Sequence, residues 1–152
     1  MMTLPQIEQS IREHPLFVGI KPEHLALILG HARQVEFGPG ETLFREMAPA
    51  NQLFLLTAGT VELSASNGPD REVSIQRLGP GEALGWSWLF PPFQWHFNAH
   101  AIDHVEAVSI SGGHLLQTAE EHPDLGFELM KRISKIVIQR LQSTRKQLLD
   151  GE

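Results

Sequence analysis

The apolar positions of this chain change period twice. Near the start, Leu4, Ile7 and Ile11 recur every three or four residues, the spacing of one face of an α-helix. Thr3 precedes Pro5 in the manner of an N-cap, so a helix is predicted over 4–14. A second helix is predicted from Pro22 through "PEHLALILGHA", with Leu25, Ile28 and Leu29 as its buried face. From Val35 to Ser111 the pattern shortens. The runs "QVEF", "ETLF", "QLFLLTA", "TVELSAS", "EVSIQRL", "FNAHAI" and "EAVSI" are separated by Gly and Pro punctuation. In "TVELSA", Val61 and Leu63 alternate with Glu62 and Ser64, the period of a half-buried strand. Gly59 and the "NGPD" at 67–70 mark reversals. Gly-Pro-Gly-Glu occurs at both 38–41 and 79–82, each time before an apolar step, and predicts two equivalent corner turns. Beyond "SGGHLLQTAEEHPDLG" the helical period returns. Met130, Ile133, Val137, Leu141, Thr144 and Leu148 form one stripe, flanked by Lys131, Arg132, Lys135, Arg140 and Arg145.

Seven or eight short strands between helical ends predict a mainly β fold with flanking helices. The expected form is a double-stranded β-helix, or jelly roll, with N-terminal helices and a long C-terminal helix. The boundaries are helices over about 4–33, a β-roll over about 34–111 and helices over about 112–149, within one domain of 1–152. The stripe on the last helix needs cover, first from the roll and then from a second copy of the chain. Met130, Ile133, Val137 and Leu141 are the expected homodimer contacts. The basic residues beside them are read as a solvated helix face rather than a DNA contact.

Composition narrows the function. A chain of 152 residues buries about 68–70% of its unfolded surface, enough for a core without staples. Without cysteine it has no disulfide, thiolate nucleophile or Cys-based metal centre. A formal charge of −6 argues against direct nucleic-acid binding. No segment approaches the run of about 20 apolar residues that spans a membrane. The N-terminus "MMTLPQIEQS" does not resemble a signal peptide, and a cytoplasmic setting is expected.

The chemistry concentrates in one loop, "GWSWLFPPFQWHF". It holds all three tryptophans of the chain and three phenylalanines, with no lysine or arginine. Ser87 lies in Gly-Trp-Ser-Trp-Leu, half of a nucleophile elbow; the second glycine is missing, and a surface or capping role is expected. His96, His100 and His104 recur every four residues, but on a strand such neighbours stand about 13 Å apart, too far to share a metal ion. A cupin-like β-roll metal enzyme is the rival class, although its His-x-His pair is absent.

Pro15-Leu16-Phe17, the Pro39-Gly40-Glu41 corner, the apolar strand before Gly59 and the Val61/Leu63 strand after it come in a specific order. Together they resemble a cyclic nucleotide-binding domain of the bacterial catabolite-activator (Crp-Fnr) type, from about residue 10 to 145. The resemblance implies a phosphate-binding cassette. In it, backbone amides at a short helix start and an arginine hold the cyclic phosphate, and a glutamate accepts from the ribose 2′-hydroxyl. Gly85 matches the cassette glycine. Trp86 stands where the glutamate would be, His96 where the arginine would be, and Phe97 at the hydroxyl residue; Ala99 keeps a small residue nearby.

The candidate ligand contacts are therefore Gly85, Trp86, Ser87, Trp88, Leu89, His96, Phe97 and Asn98. Three readings stay open. A cyclic nucleotide such as cAMP is held weakly with help from His96; the rings fill the pocket themselves; or the pocket takes another, more apolar small molecule. Regulators of this type continue into a helix-turn-helix, and this chain ends at "LLDGE". The expectation is a stand-alone, non-enzymatic regulatory or sensory domain, acting through its dimer helix or on a protein partner.

Overall fold

The computed structural model describes residues 2–151. Helix α1 (Leu4–Glu13) is capped by Thr3, whose side chain accepts from the Gln6 amide while the Gln6 side chain accepts from the Thr3 amide. Helix α2 (Pro22–Leu29) starts on its proline but ends three residues before the predicted "GHA" does. The cause is tertiary: Ala32 already pairs with Ile110 as the first residue of strand β1 (Ala32–Phe37). The remaining strands are β2 (Thr42–Phe44), β3 (Gln52–Ala58), β4 (Val61–Ser66), β5 (Glu72–Leu78), β6 (Ala83–Leu84), β7 (Asn98–Ala101) and β8 (Val105–Ser111). A single 3-10 turn, Ser87–Leu89, interrupts the loop between β6 and β7. Helices α3 (Gly112–Glu121) and α4 (Pro123–Asp150) finish the chain, separated at His122.

Two four-stranded antiparallel sheets make the roll, in orders β1-β8-β3-β6 and β2-β7-β4-β5. Strand β3 explains the architecture. Phe54 and Leu56 point into the roll with Val61, Leu63 and Leu78, whereas Leu53 and Leu55 point outward to Ile11, Phe17 and Leu125 on the helix side. A strand buried on both faces must read as a continuous apolar run, which "QLFLLTA" is.

The two Gly-Pro-Gly-Glu corners have the same geometry. In each, the first glycine's amide donates to the glutamate side chain, at 2.8 Å (Gly38 to Glu41) and 2.7 Å (Gly79 to Glu82). The second glycine sits at φ +83° (Gly40) or +87° (Gly81). That is a type II turn, with proline first and a left-handed glycine second.

Helix α4 divides its apolar stripe. Leu125, Leu129 and Ile133 are buried in their own domain. Ile133, expected at a dimer contact, is 6% exposed and belongs to the helix-side core. Phe127, Met130, Val137, Ile138 and Leu141 remain exposed. Among the described residues no helix is long and apolar enough to cross a membrane.

Candidate functional site

The loop after β6 is fixed by glycines that admit no side chain. A Cβ on Gly85 would lie 2.6 Å from the Gln52 carbonyl oxygen and 3.0 Å from the Trp95 ring, and its φ is +95°. Three amides close the loop on itself: Leu89 donates to the Trp86 carbonyl, Phe90 to Ser87, and Phe93 to Phe90. Pro91 and Pro92 have no amide to offer. The Trp95 amide donates to Ala48 and its carbonyl accepts from Met47, tying the end of the loop to the segment after β2.

Once the backbone is fixed, the six rings part company. Trp95, 4% exposed, stacks on Phe44 with centroids 3.9 Å apart and planes 13° from parallel. Trp88 turns the other way, into the helix-side core, where its ring lies against the backbone of Gly112 and its Nε1 donates to the Gly85 carbonyl. Phe90 and Phe93 face solvent. Trp86 and Phe97 border a cavity of about 240 Å³ between the roll and α4.

Phe44, Leu63, Leu84 and Trp95 form the inner wall of that cavity. Val137, Arg140, Leu141 and Thr144 cross its mouth from α4. Of the sequence-stated contacts, Gly85, Trp86, Ser87 and Phe97 line it. The other four do not. Leu89 packs on the helix-side core beside Trp88. His96 is exposed, and the Asn98 side chain accepts from the Glu46 amide at 2.9 Å.

Arg140 was read from sequence as part of a solvated basic face, and that reading is corrected here. Its guanidinium lies 4.9 Å over the Trp86 ring and donates to the Ala83 carbonyl. Its Nε is sealed from solvent with no hydrogen-bond partner among the described residues. Burial pulls its pKa below the ordinary value, partly opposed by the charge of Glu82. The only sequence signal for this role was position: Arg140 lies three residues from Val137 and four from Thr144, on the same helix face. Another cluster lies elsewhere. Glu36, His104 and Glu106 bring donor atoms within 4.8 Å of one another, and none of the three lines the cavity. His96 and His100 take no part in it.

Most of the roll and the glycine-started loop fall within a match to a family model, the cyclic nucleotide-binding domain, over residues 34–122. The chain belongs to the cyclic nucleotide-binding domain family. It is 26% identical over 144 residues to a CRP-like cAMP-activated global transcriptional regulator of Mycobacterium tuberculosis. That match takes in 95% of this chain and 62% of the relative, so the chain spans less than two thirds of the relative's length. A putative cyclic nucleotide-binding protein from Geobacter metallireducens, known from its crystal structure, is 28% identical with a TM-score of 0.78, over 93% of this chain and 99% of that one. The fold alone extends further. The regulatory subunit of a cAMP-independent protein kinase A from Trypanosoma cruzi, bound to guanosine, shares it at 14% identity and a TM-score of 0.76, over 97% of this chain and 51% of that one. Nothing in these likenesses supports the cupin-like metal-enzyme alternative.

The loop at 85–97 runs between β6 and β7 and faces α4, and none of its side chains that line the cavity carries a positive charge.

Proposed function

We propose that this domain is regulatory and non-catalytic, and that it senses a small, largely apolar molecule in the aromatic cavity rather than a cyclic nucleotide in the usual mode. The observation that carries this reading is a cavity of about 240 Å³ that remains open beside the cassette while its walls are Phe44, Trp95, Trp86 and Phe97. The rings act as walls, not as filling. Gly85, Trp86, Ser87 and Phe97 are the proposed ligand contacts; Trp88, Leu89 and Asn98 hold the shape of the loop. The fold accommodates other ligands, as the protein kinase A regulatory subunit that shares it, bound to guanosine, illustrates.

The energetic case concerns the missing side chains. A cyclic phosphate and a ribose hydroxyl each lose a charged hydrogen-bond partner, worth about 1.5–3 kcal/mol apiece. Binding in the usual mode then weakens by roughly three orders of magnitude, at about 1.4 kcal/mol per tenfold. His96 faces solvent, and the cation that does line the cavity, Arg140, stands on α4 rather than in the loop that holds the phosphate in the usual mode. Calorimetry against cAMP and cGMP tests this directly. No isotherm is expected at low micromolar ligand, and a clear one there refutes the reading.

The domain reports through α4 as a homodimer in this proposal. Met130, Val137 and Leu141 of the predicted contacts are exposed, and Phe127 and Ile138 extend the same surface. These five residues step along the helix by three, seven, one and three, the spacing of a coiled-coil seam widened by one position.

A further inference from the structure

We propose that the cavity selects a monocarboxylate with a compact apolar body, and that Arg140 on α4 is the side chain that receives the carboxylate. This rests on the reading of the cavity as a ligand site and adds the charge and shape of what it takes.

Among the described residues, Arg140 is the single charged side chain lining the cavity. The guanidinium has five N–H donors and keeps its charge in proteins. One Nη donates to the Ala83 carbonyl, and one face is covered by Trp86. The Nε–H, closed off from water, has no acceptor among the described residues. A buried cation with an idle donor is costly unless an anion or acceptor reaches it. On its other side Arg140 borders a groove with His14 and Glu82. Glu82 is engaged at its corner, where its carboxylate accepts from the Gly79 amide. His14 is held neutral, with its Nδ1 accepting from the Leu16 amide at 3.1 Å. The cavity's other polar side chains, Gln76, Ser87 and Thr144, are neutral. Glu82 offsets part of the guanidinium charge from the groove side, but among the described residues no carboxylate lines the cavity, and on that side an anion has to come with the ligand.

The remaining chemistry favours a carboxylate over a phosphate. One cation balances one negative charge, and Pro91 and Pro92 leave two positions of the loop without an amide to share a second. A planar carboxylate also fits the guanidinium fork. The body of the ligand must be apolar and modest in size. The walls are aromatic and aliphatic, and the cavity of about 240 Å³ falls below the roughly 300–1,000 Å³ of sites for drug-sized molecules. A flat ring suits the aromatic lining that Phe44, Trp86, Trp95 and Phe97 give the cavity.

The test uses three acids with their amides: 3-phenylpropionate, indole-3-acetate and octanoate, titrated by calorimetry into wild type, Arg140→Gln and Arg140→Lys. Thermal melts without ligand establish that each variant is folded. Wild type is expected to bind at least one acid about 10- to 100-fold more tightly than its amide, the ratio set by one charge-assisted hydrogen bond. Arg140→Gln should bind that acid and its amide alike, and Arg140→Lys should keep part of the preference. Equal affinity for acid and amide in wild type, or an undiminished preference in Arg140→Gln, overturns the assignment of Arg140. If the amides bind in that case, the cavity remains a ligand site and only its charge selectivity falls. Failure of every acid and amide to bind overturns the proposal as well. Tight binding of cAMP instead refutes the parent reading, a separate result obtained in the same instrument.

Discussion

Trp88 and Gly112 form the tightest junction between the loop and the helices, and a single methyl group tests it. A Cβ built on Gly112 would lie 2.3 Å from Trp88 Cγ, 2.6 Å from Cδ1 and 2.7 Å from Cδ2. These atoms are the base of the ring, not its flexible end, so a small rotation does not clear them. The ring is also held at its far side by the bond from Nε1 to the Gly85 carbonyl. Gly112→Ala must therefore displace Trp88. Expelling a buried tryptophan approaches the roughly 3–5 kcal/mol of a large core truncation. Alanine in the first turn of a helix returns about 0.5–1 kcal/mol relative to glycine. The expected net loss is about 2–4 kcal/mol. For a chain of this length that corresponds to a fall in Tm of about 4–16 °C, at roughly 2–4 °C per kcal/mol.

The neighbouring residue supplies the control. A Cβ on Gly113 meets nothing within 4 Å. Gly113→Ala should therefore be neutral, or more stable by up to about 1 kcal/mol. Urea unfolding of both variants reads the difference as a shift in midpoint at constant slope. Adding Trp88→Leu to Gly112→Ala should cost less than the sum of the two single changes, because the methyl group then occupies space the indole has left. If Gly112→Ala is as stable as Gly113→Ala, the contact does not hold the loop and the reasoning fails.

Three further outcomes follow from the same geometry. Gly85→Ala places a Cβ 2.6 Å from the Gln52 carbonyl at φ +95° and should cost about 1–3 kcal/mol; a melting temperature within a degree of wild type would contradict this. Burial holds the His14 pKa below its unfolded value of 6.5, so the unfolded chain takes up the proton first on acidification. Stability from this group is complete above pH 6.5 and is lost as pH falls through the folded pKa. His14→Asn, which can keep an acceptor for the Leu16 amide, should flatten the slope of Tm against pH below 6.5, and an unchanged slope would remove His14 as its source. Ile133→Glu puts a charge in the helix-side core and should unfold the domain, whereas Val137→Glu, at a position 43% exposed, should stay folded and halve the mass seen by light scattering; an unchanged mass with retained helicity argues against the dimer face.

Local signals carried most of the fold. The Thr3 cap, Pro22 and the twin Gly-Pro-Gly-Glu corners each act within four residues, and each appears where the sequence placed it. Ala83 and Leu84 were not legible as strand β6, because two residues show no period and their pairing with Leu55 and Phe54 comes from across the roll. The overshoot of α2 has the same origin, since β8 claims Ala32. In the loop, the sequence shows six rings close together but not their directions. Gly112 draws Trp88 to one side and Phe44 draws Trp95 to the other, and both partners are distant in the chain. Arg140 was hidden for a related reason. Among other cations on a helix it looks solvated, and only the opposing Trp86 and Ala83 reveal that it turns inward.

That inward turn bears on how a bound molecule would be reported. The first half of α4 has little freedom: Leu125, Leu129 and Ile133 are buried, and a Cβ on Gly126 would come within 2.7 Å of the Ala119 carbonyl. Arg132 adds a bond of 3.0 Å to the Leu16 carbonyl. After Ile133 the support changes from packed core to the rim of a cavity, through Val137, Arg140, Leu141 and Thr144. An occupant touching the roll on one side and these residues on the other adds contacts between the roll and the second half of the helix. The exposed residues Ile138 and Leu141 belong to that same half, so a shift of it would move them relative to Phe127 and Met130, which sit on the half packed into the core. Under the proposed function, a seam of apolar residues that runs from the packed half of α4 onto the cavity rim would report occupancy only as far as the ligand prefers one position of that rim, since it shifts the population by no more than that difference in affinity.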